Sequence, residues 1–150
     1  MSVVCCQWSV VQKLAKHKED ILMVRTNFEN LRVYQLSEEI SDLIWEIVVK
    51  WKRLAQDTVG KQIIKAADSI GANIAEGTGR GSYADNRRFA RIARGSLFEV
   101  KHWLRRAYRR DLLSENEVSN LQNLIKELTP KLSAYINSIG NRIEKSDKQK

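Results

Sequence analysis

Apolar positions along the chain recur at helical spacing. Leu36, Ile40, Leu43, Ile44, Ile47, Val48, Trp51 and Leu54 follow one another mostly at three- and four-residue steps, which places them on one face of a first helix. Ser37 and Glu39 supply early-turn signals for it. A second helix is expected from Asp57 or Thr58, either of which can cap it, with a face of Ile63, Ala67, Ile70 and Ile74. Ala66, Ala67, Ala72, Ala75 and Gly71 make it slim enough for a close neighbour. Its end is expected at Gly77, in the left-handed position past a helix terminus.

A third helix is predicted from about Tyr83 to Arg109. At roughly 100° per residue, Phe89, Ile92, Ala93, Ser96, Val100, Trp103, Leu104 and Ala107 fall on one side. Arg87, Arg88, Arg91, Arg94, Lys101, Arg105, Arg106 and Arg109 fall on the other, and Phe98 lands among them. A fourth helix opens at Ser114 with Glu117 three residues on, a capping-box spacing. Its apolar row runs from Val118 to Ile139, Pro130 should kink it, and Gly140 should end it. Alternating strand patterns are missing. The pattern therefore predicts an all-α, antiparallel, up-down four-helix bundle over residues 28–140. Residues 1–27 are read as an N-terminal extension and 141–150 as a polar tail.

Charge changes this picture. Between Arg80 and Arg110 lie ten Lys/Arg and two acids, Asp85 and Glu99. That surplus equals the whole net charge of +8, because the other 16 of 26 bases meet the other 16 of 18 acids. A positive surplus held in one segment points to a polyanion. Cys5 and Cys6 are adjacent and fit neither a disulfide framework nor a zinc spacing. No apolar run reaches the roughly 18 residues of a membrane span, so the expected compartment is the cytoplasm, with no membrane partner.

Three stretches carry a resemblance. "LRVYQ" supplies Leu31, Val33, Tyr34 and Gln35; "SIGANIAEGTGR" spans Ser69 to Arg80; "GSLFE" supplies Gly95, Ser96, Leu97 and Glu99. Together they resemble the four-helix bundle proteins encoded in intervening sequences of bacterial 23S ribosomal RNA genes. The likeness covers about Phe28 to Gly140 and departs at Gly71, where many relatives carry proline. It implies a bundle that assembles into a homopentamer. It also implies relatedness to accessory proteins of diversity-generating retroelements, which bind nucleic acid and a reverse transcriptase.

The chemistry favours binding over catalysis. Clustered arginines attract phosphates, and Phe98, with Tyr83 and Tyr108 nearby, can stack on unpaired bases. The nucleic-acid-binding set is Arg80, Arg87, Arg88, Arg91, Arg94, Phe98, Lys101, Arg105, Arg106, Arg109 and Arg110. The competing reading is a solvated face, or a scaffold surface for an acidic protein. Asn73 and Glu76 read as a polar clasp towards helix three or another subunit. Gly77 reads as a hinge residue, and Gly95 with Ser96 as a small-residue crossing point. Glu99 and His102 form a lone E-x-x-H, too little for a di-iron bundle, which needs two. Seven residues separate Arg94 from His102, too many for helical RNases of the HEPN type. The expectation is a protein with no enzymatic activity, cofactor or metal. Trp45 and Phe98 lie off the core-facing rows, which argues for a second buried surface between subunits.

Overall fold

The computed structural model describes residues 27–148, the side chains of residues 146 and 147 apart. Within them lie four long helices and no strand. We number them α1 (Arg32–Val48), α2 (Lys61–Gly79), α3 (Tyr83–Tyr108) and α4 (Glu115–Asp147). The expectation of an extension over 1–27 lies almost wholly outside the described residues.

Each long helix packs on two others, in the cyclic order α1–α2–α3–α4. The shared core holds Leu36, Ile40 and Ile44 from α1, with Ile63, Ile70 and Ile74 from α2. It is completed by Leu97 and Val100 from α3 and by Leu121, Leu128 and Leu132 from α4. Each such side chain contributes roughly 1.5–3 kcal/mol by leaving water. Contact between α2 and α3 is the most extensive, because Ala66, Ala67, Ala90 and Ala93 are small and fully buried there.

Several predicted boundaries need correction. Helix α1 ends at Val48, so Trp51 lies beyond it, and Leu54 belongs to the next helical segment with 78% exposure. Ser37 does not cap α1; it is buried and donates to the Tyr34 carbonyl. The second helical rod begins before Asp57. One turn, Arg53–Ala55, runs into a π-helical segment, Gln56–Gly60, and on into α2 without a break. Asp57 and Thr58 therefore sit inside this rod, where the Thr58 hydroxyl donates to the Leu54 carbonyl. Gln56 Nε2 donates to the Val48 and Val49 carbonyls and covers the end of α1.

Gly77 is not the left-handed residue. It is buried inside α2, where a Cβ would meet Phe89 Cβ at 2.8 Å. The left-handed position is Gly81, with φ of 76°, and Ser82 then accepts from the Asp85 amide to open α3. Gly71 lies buried in unbroken α2, its missing Cβ leaving room for Ser37 Oγ. At the other end of α3, Asp111 turns the chain with φ of 55°, and Leu112 N–H reaches back to the Ala107 carbonyl. The expected Ser114–Glu117 capping box opens α4. Gly140 does not end that helix, which continues to Asp147 and takes in part of the expected polar tail.

On α3 the inner side holds Ala90, Ala93, Leu97, Val100 and Ala107. Leu97 was not among the expected inner residues, and Ile92, which was, is 43% exposed. The inner row is thus rotated slightly towards α4.

Candidate functional site

The rotation of α3 sets the geometry of its charged side. Arg87, Arg91, Arg94, Phe98, Lys101 and Arg105 recur at steps of four, three, four, three and four. A 3.6-residue turn keeps such a row nearly parallel to the helix axis. Two members show where the row lies. Lys101 Nζ donates to Thr129 Oγ1 of α4 at 3.0 Å. The Arg87 guanidinium rests against Gly140 of α4, where an added Cβ would sit 2.9 Å from Arg87 Cζ. The row therefore borders the seam between α3 and α4.

Each end of the seam opens into a cleft. One, of about 500 Å³, is lined by Arg87, Arg88 and Arg91, with Ala84, Ile92 and Ile143. The other, of about 480 Å³, has Leu104, Leu113, Val118 and Leu121 among its walls, with Lys101, Arg105 and Tyr108 beside them. From α4 the second cleft receives Ser119, Gln122 and Glu115, and Tyr108 donates to the Glu115 carboxylate at 3.3 Å. Between the clefts Phe98 stands 57% exposed, with Lys101 Nζ 5.2 Å from its ring centre.

The row is electrostatically unspent. Among the described residues, Arg87, Arg88, Arg91, Arg94, Lys101, Arg105, Arg106, Arg109 and Arg110 make no ion pair. Arg87 Nε–H is buried and has no hydrogen-bond partner among the described residues. An unmet buried donor is costly, more so on a charged group. Part of the charge has a structural use: Arg105 and Arg106 lie in the last turn of α3 and Arg109 and Arg110 just beyond it, where cations offset the helix dipole. Arg87, Arg91 and Arg94 lie far from that end and gain nothing from it.

The remaining expected residues are architectural. Glu76 pairs with Arg80 on the following turn, raising the guanidinium pKa by that hydrogen bond. Arg80 also lies 5.1 Å over the Phe89 ring of α3, so the clasp onto helix three runs through an aromatic face. Asn73 takes no part in it; it donates to the Ser69 carbonyl of its own helix. Gly95 is not a crossing point for the described helices: a Cβ there would meet open space. Ser96 donates to the Ile92 carbonyl. Glu99 and His102 are both exposed, and Glu99 accepts from Trp103 Nε1 at 3.4 Å.

The opening "LRVYQ" is likewise structural. Val33 is buried, Gln35 donates to the Glu29 carbonyl, and Tyr34 stacks edge-on to Phe28 at 4.8 Å. Burial, then the neighbouring Glu38 carboxylate, pushes the Tyr34 hydroxyl up to about 12. Sequence reasoning passed over the acidic edge of α1, where Glu38, Glu39 and Asp42 line a shallow groove with Glu29 and Gln35. Glu39 is engaged by Arg32, which also reaches Glu127 of α4. Among the described residues no His/Cys/Asp/Glu group has metal-holding geometry, and no helix is long and apolar enough to cross a membrane.

Comparison with known proteins points to one family. The family model described as 23S rRNA-intervening sequence protein matches residues 29–134. Among solved structures, a Bacteroides thetaiotaomicron protein of unknown function from the S23 ribosomal protein family superposes with a TM-score of 0.61. It shares 25% identity, over 69% of this chain and 97% of its own. No curated protein matches.

Proposed function

The chain belongs to the 23S rRNA-intervening sequence protein family, and we propose that this member is a non-catalytic, homo-oligomeric nucleic-acid-binding bundle. The observation that carries the reading is the unpaired basic row of α3. Nine cations between Arg87 and Arg110 have no carboxylate partner among the described residues, although α1 and α4 are rich in acids. Phosphates satisfy such a row with charge-assisted, forked hydrogen bonds. Contacts of this kind go to the backbone, so sequence preference is weak.

We propose further that the helices run up-down-up-down, as the short links after Val48, Gly79 and Tyr108 favour. Five copies forming a ring is what the family resemblance implies. Trp45 on α1 and Val49 just past its end, 58% and 49% exposed, offer apolar surface for such contacts. In a ring, copies of the α3 row add their attraction.

The test is a titration of the oligomer with RNA and with single- and double-stranded DNA at several salt concentrations. Binding should fall steeply with salt. It should also fall when Arg87, Arg91 and Arg105 are changed to Ala. A folded oligomer that retains no nucleic acid at low salt overturns the reading. It leaves a scaffold that docks an acidic protein, a partner such as a reverse transcriptase included.

A further inference from the structure

Resting on that reading, we infer that the ligand is a single strand of nucleic acid, lying along the α3–α4 seam with an unpaired base in the cleft beside Tyr108. Three observations converge on a strand rather than a duplex.

First, the row is narrow. Its cations follow one line along the helix axis. From Arg91 to Arg105 is fourteen residues, or about 21 Å at 1.5 Å per residue. Duplex binding rewards cations spread across two backbones, whereas one backbone needs one line.

Second, the row is interrupted by an aromatic ring. Phe98 stands 57% exposed at its centre, and Tyr108, 49% exposed, closes its far end. Basic grooves interleaved with exposed rings hold unpaired bases by stacking, which a paired base inside a helix cannot offer.

Third, the two end clefts differ in kind. The Arg87 cleft presents three guanidinium groups and no carboxylate, which suits a phosphate. Packing against Gly140 buries Arg87 Nε, so the guanidinium is held in place at the wall of this cleft. The Tyr108 cleft pairs an apolar wall with Gln122 and with Glu115, a carboxylate that repels phosphate. A base fits that mixture. Its flat face lies on leucine and valine, and its edge meets an amide and a carboxylate.

Fluorescence anisotropy separates the possibilities with three probes of equal length: a 12-nucleotide RNA strand, the same strand in a duplex, whose doubled phosphate count would favour it if charge alone decided, and an abasic strand. The single strand should bind at least tenfold more tightly than the other two. Phe98→Ala and Tyr108→Ala should each weaken it fivefold or more, since base stacking is worth about 1–3 kcal/mol. Their salt dependence should stay unchanged, because neither removes a charge. Arg106→Ala, which lies off the row, should weaken binding less than Arg105→Ala. Both aromatic side chains are exposed, so the variants should keep the wild-type melting temperature. Equal affinity for all three probes, no effect of either aromatic variant, or equal loss at Arg105 and Arg106 overturns the seam and leaves general polyanion binding standing. No binding to any probe overturns both.

Discussion

Helices α1 and α3 do the same job on the inside and opposite jobs on the outside. Each presents an aliphatic row to the common core, and the two sit across the bundle from each other rather than side by side. The outer edge of α1 carries Glu38, Glu39, Asp42 and Glu46, with Arg32 as the sole base of that helix. The charged side of α3 carries seven Lys/Arg against Asp85 and Glu99. On α1, charge is partly put to structural use, because Arg32 ties Glu39 to Glu127 and so links α1 to α4. On α3 it is not. Asp85 is occupied with the Ser82 cap and Glu99 with Trp103, which leaves the cations without a carboxylate partner among the described residues. Surface pairs of the α1 kind add little to stability. Leaving the exposed members of the α3 row unpaired therefore costs the fold little and keeps a concentrated positive field available.

Swapping charge between the two edges should give the largest effect. Arg91→Glu with Arg105→Glu should lower affinity for single-stranded RNA a hundredfold or more and flatten the salt dependence by at least about 1.4 in log–log slope, roughly 0.7 per lost contact. Asp42→Lys with Glu46→Lys on α1 should change affinity no more than about threefold. Arg91→Glu, Asp42→Lys and Glu46→Lys should each stay within about 0.5 kcal/mol of wild-type stability, as exposed changes do, while Arg105→Glu, in the last turn of α3, should cost about 1 kcal/mol. If the α1 pair matches the α3 pair in effect, net charge rather than the row controls binding.

Two glycines sharpen the contrast at intermediate size. Gly77→Ala forces a Cβ into Phe89 Cβ and the Asn86 carbonyl, a packed site between α2 and α3. It should cost about 1–3 kcal/mol by chemical denaturation. Gly140→Ala meets first the Arg87 guanidinium, the far end of a flexible side chain. Its stability should stay within about 1 kcal/mol of wild type, helped by alanine's helix propensity. RNA affinity should nevertheless drop severalfold, because Arg87 loses its shelf.

The smallest effect belongs to Tyr34 on α1. Its hydroxyl is raised from 10 to about 12 in the folded chain, so the fold favours the neutral form. That contribution is fully present below pH 10 and disappears as pH climbs from 10 towards 12. Thermal melts should show a loss on the order of 1 kcal/mol over that range, discounted from about 1.36 kcal/mol per pK unit for partial water access. Tyr34→Phe should lack that loss; an identical alkaline slope in both proteins would assign it to other groups.

Helical periodicity made the four helices and the core legible, since Leu36, Ile40, Ile63, Ile70 and Leu128 all occur at three- and four-residue steps. The capping box at Ser114 was legible because both partners are local. Boundaries failed where packing overrode local cues. Gly77 reads as a terminator but serves as a contact, and Gly140 reads as a stop but makes space for Arg87. The π-helical segment has no cue in spacing. The arginine cluster was visible as composition. Its alignment with α4 was not, because that depends on whether Leu97 or Ile92 turns inward, and both are aliphatic.

Arg87 has a practical consequence. A guanidinium N–H shut off from water exchanges its proton slowly, while those of the exposed arginines exchange fast and broaden. The molecule thus carries a built-in spectroscopic reporter at one end of the seam, readable in solution without any attached label.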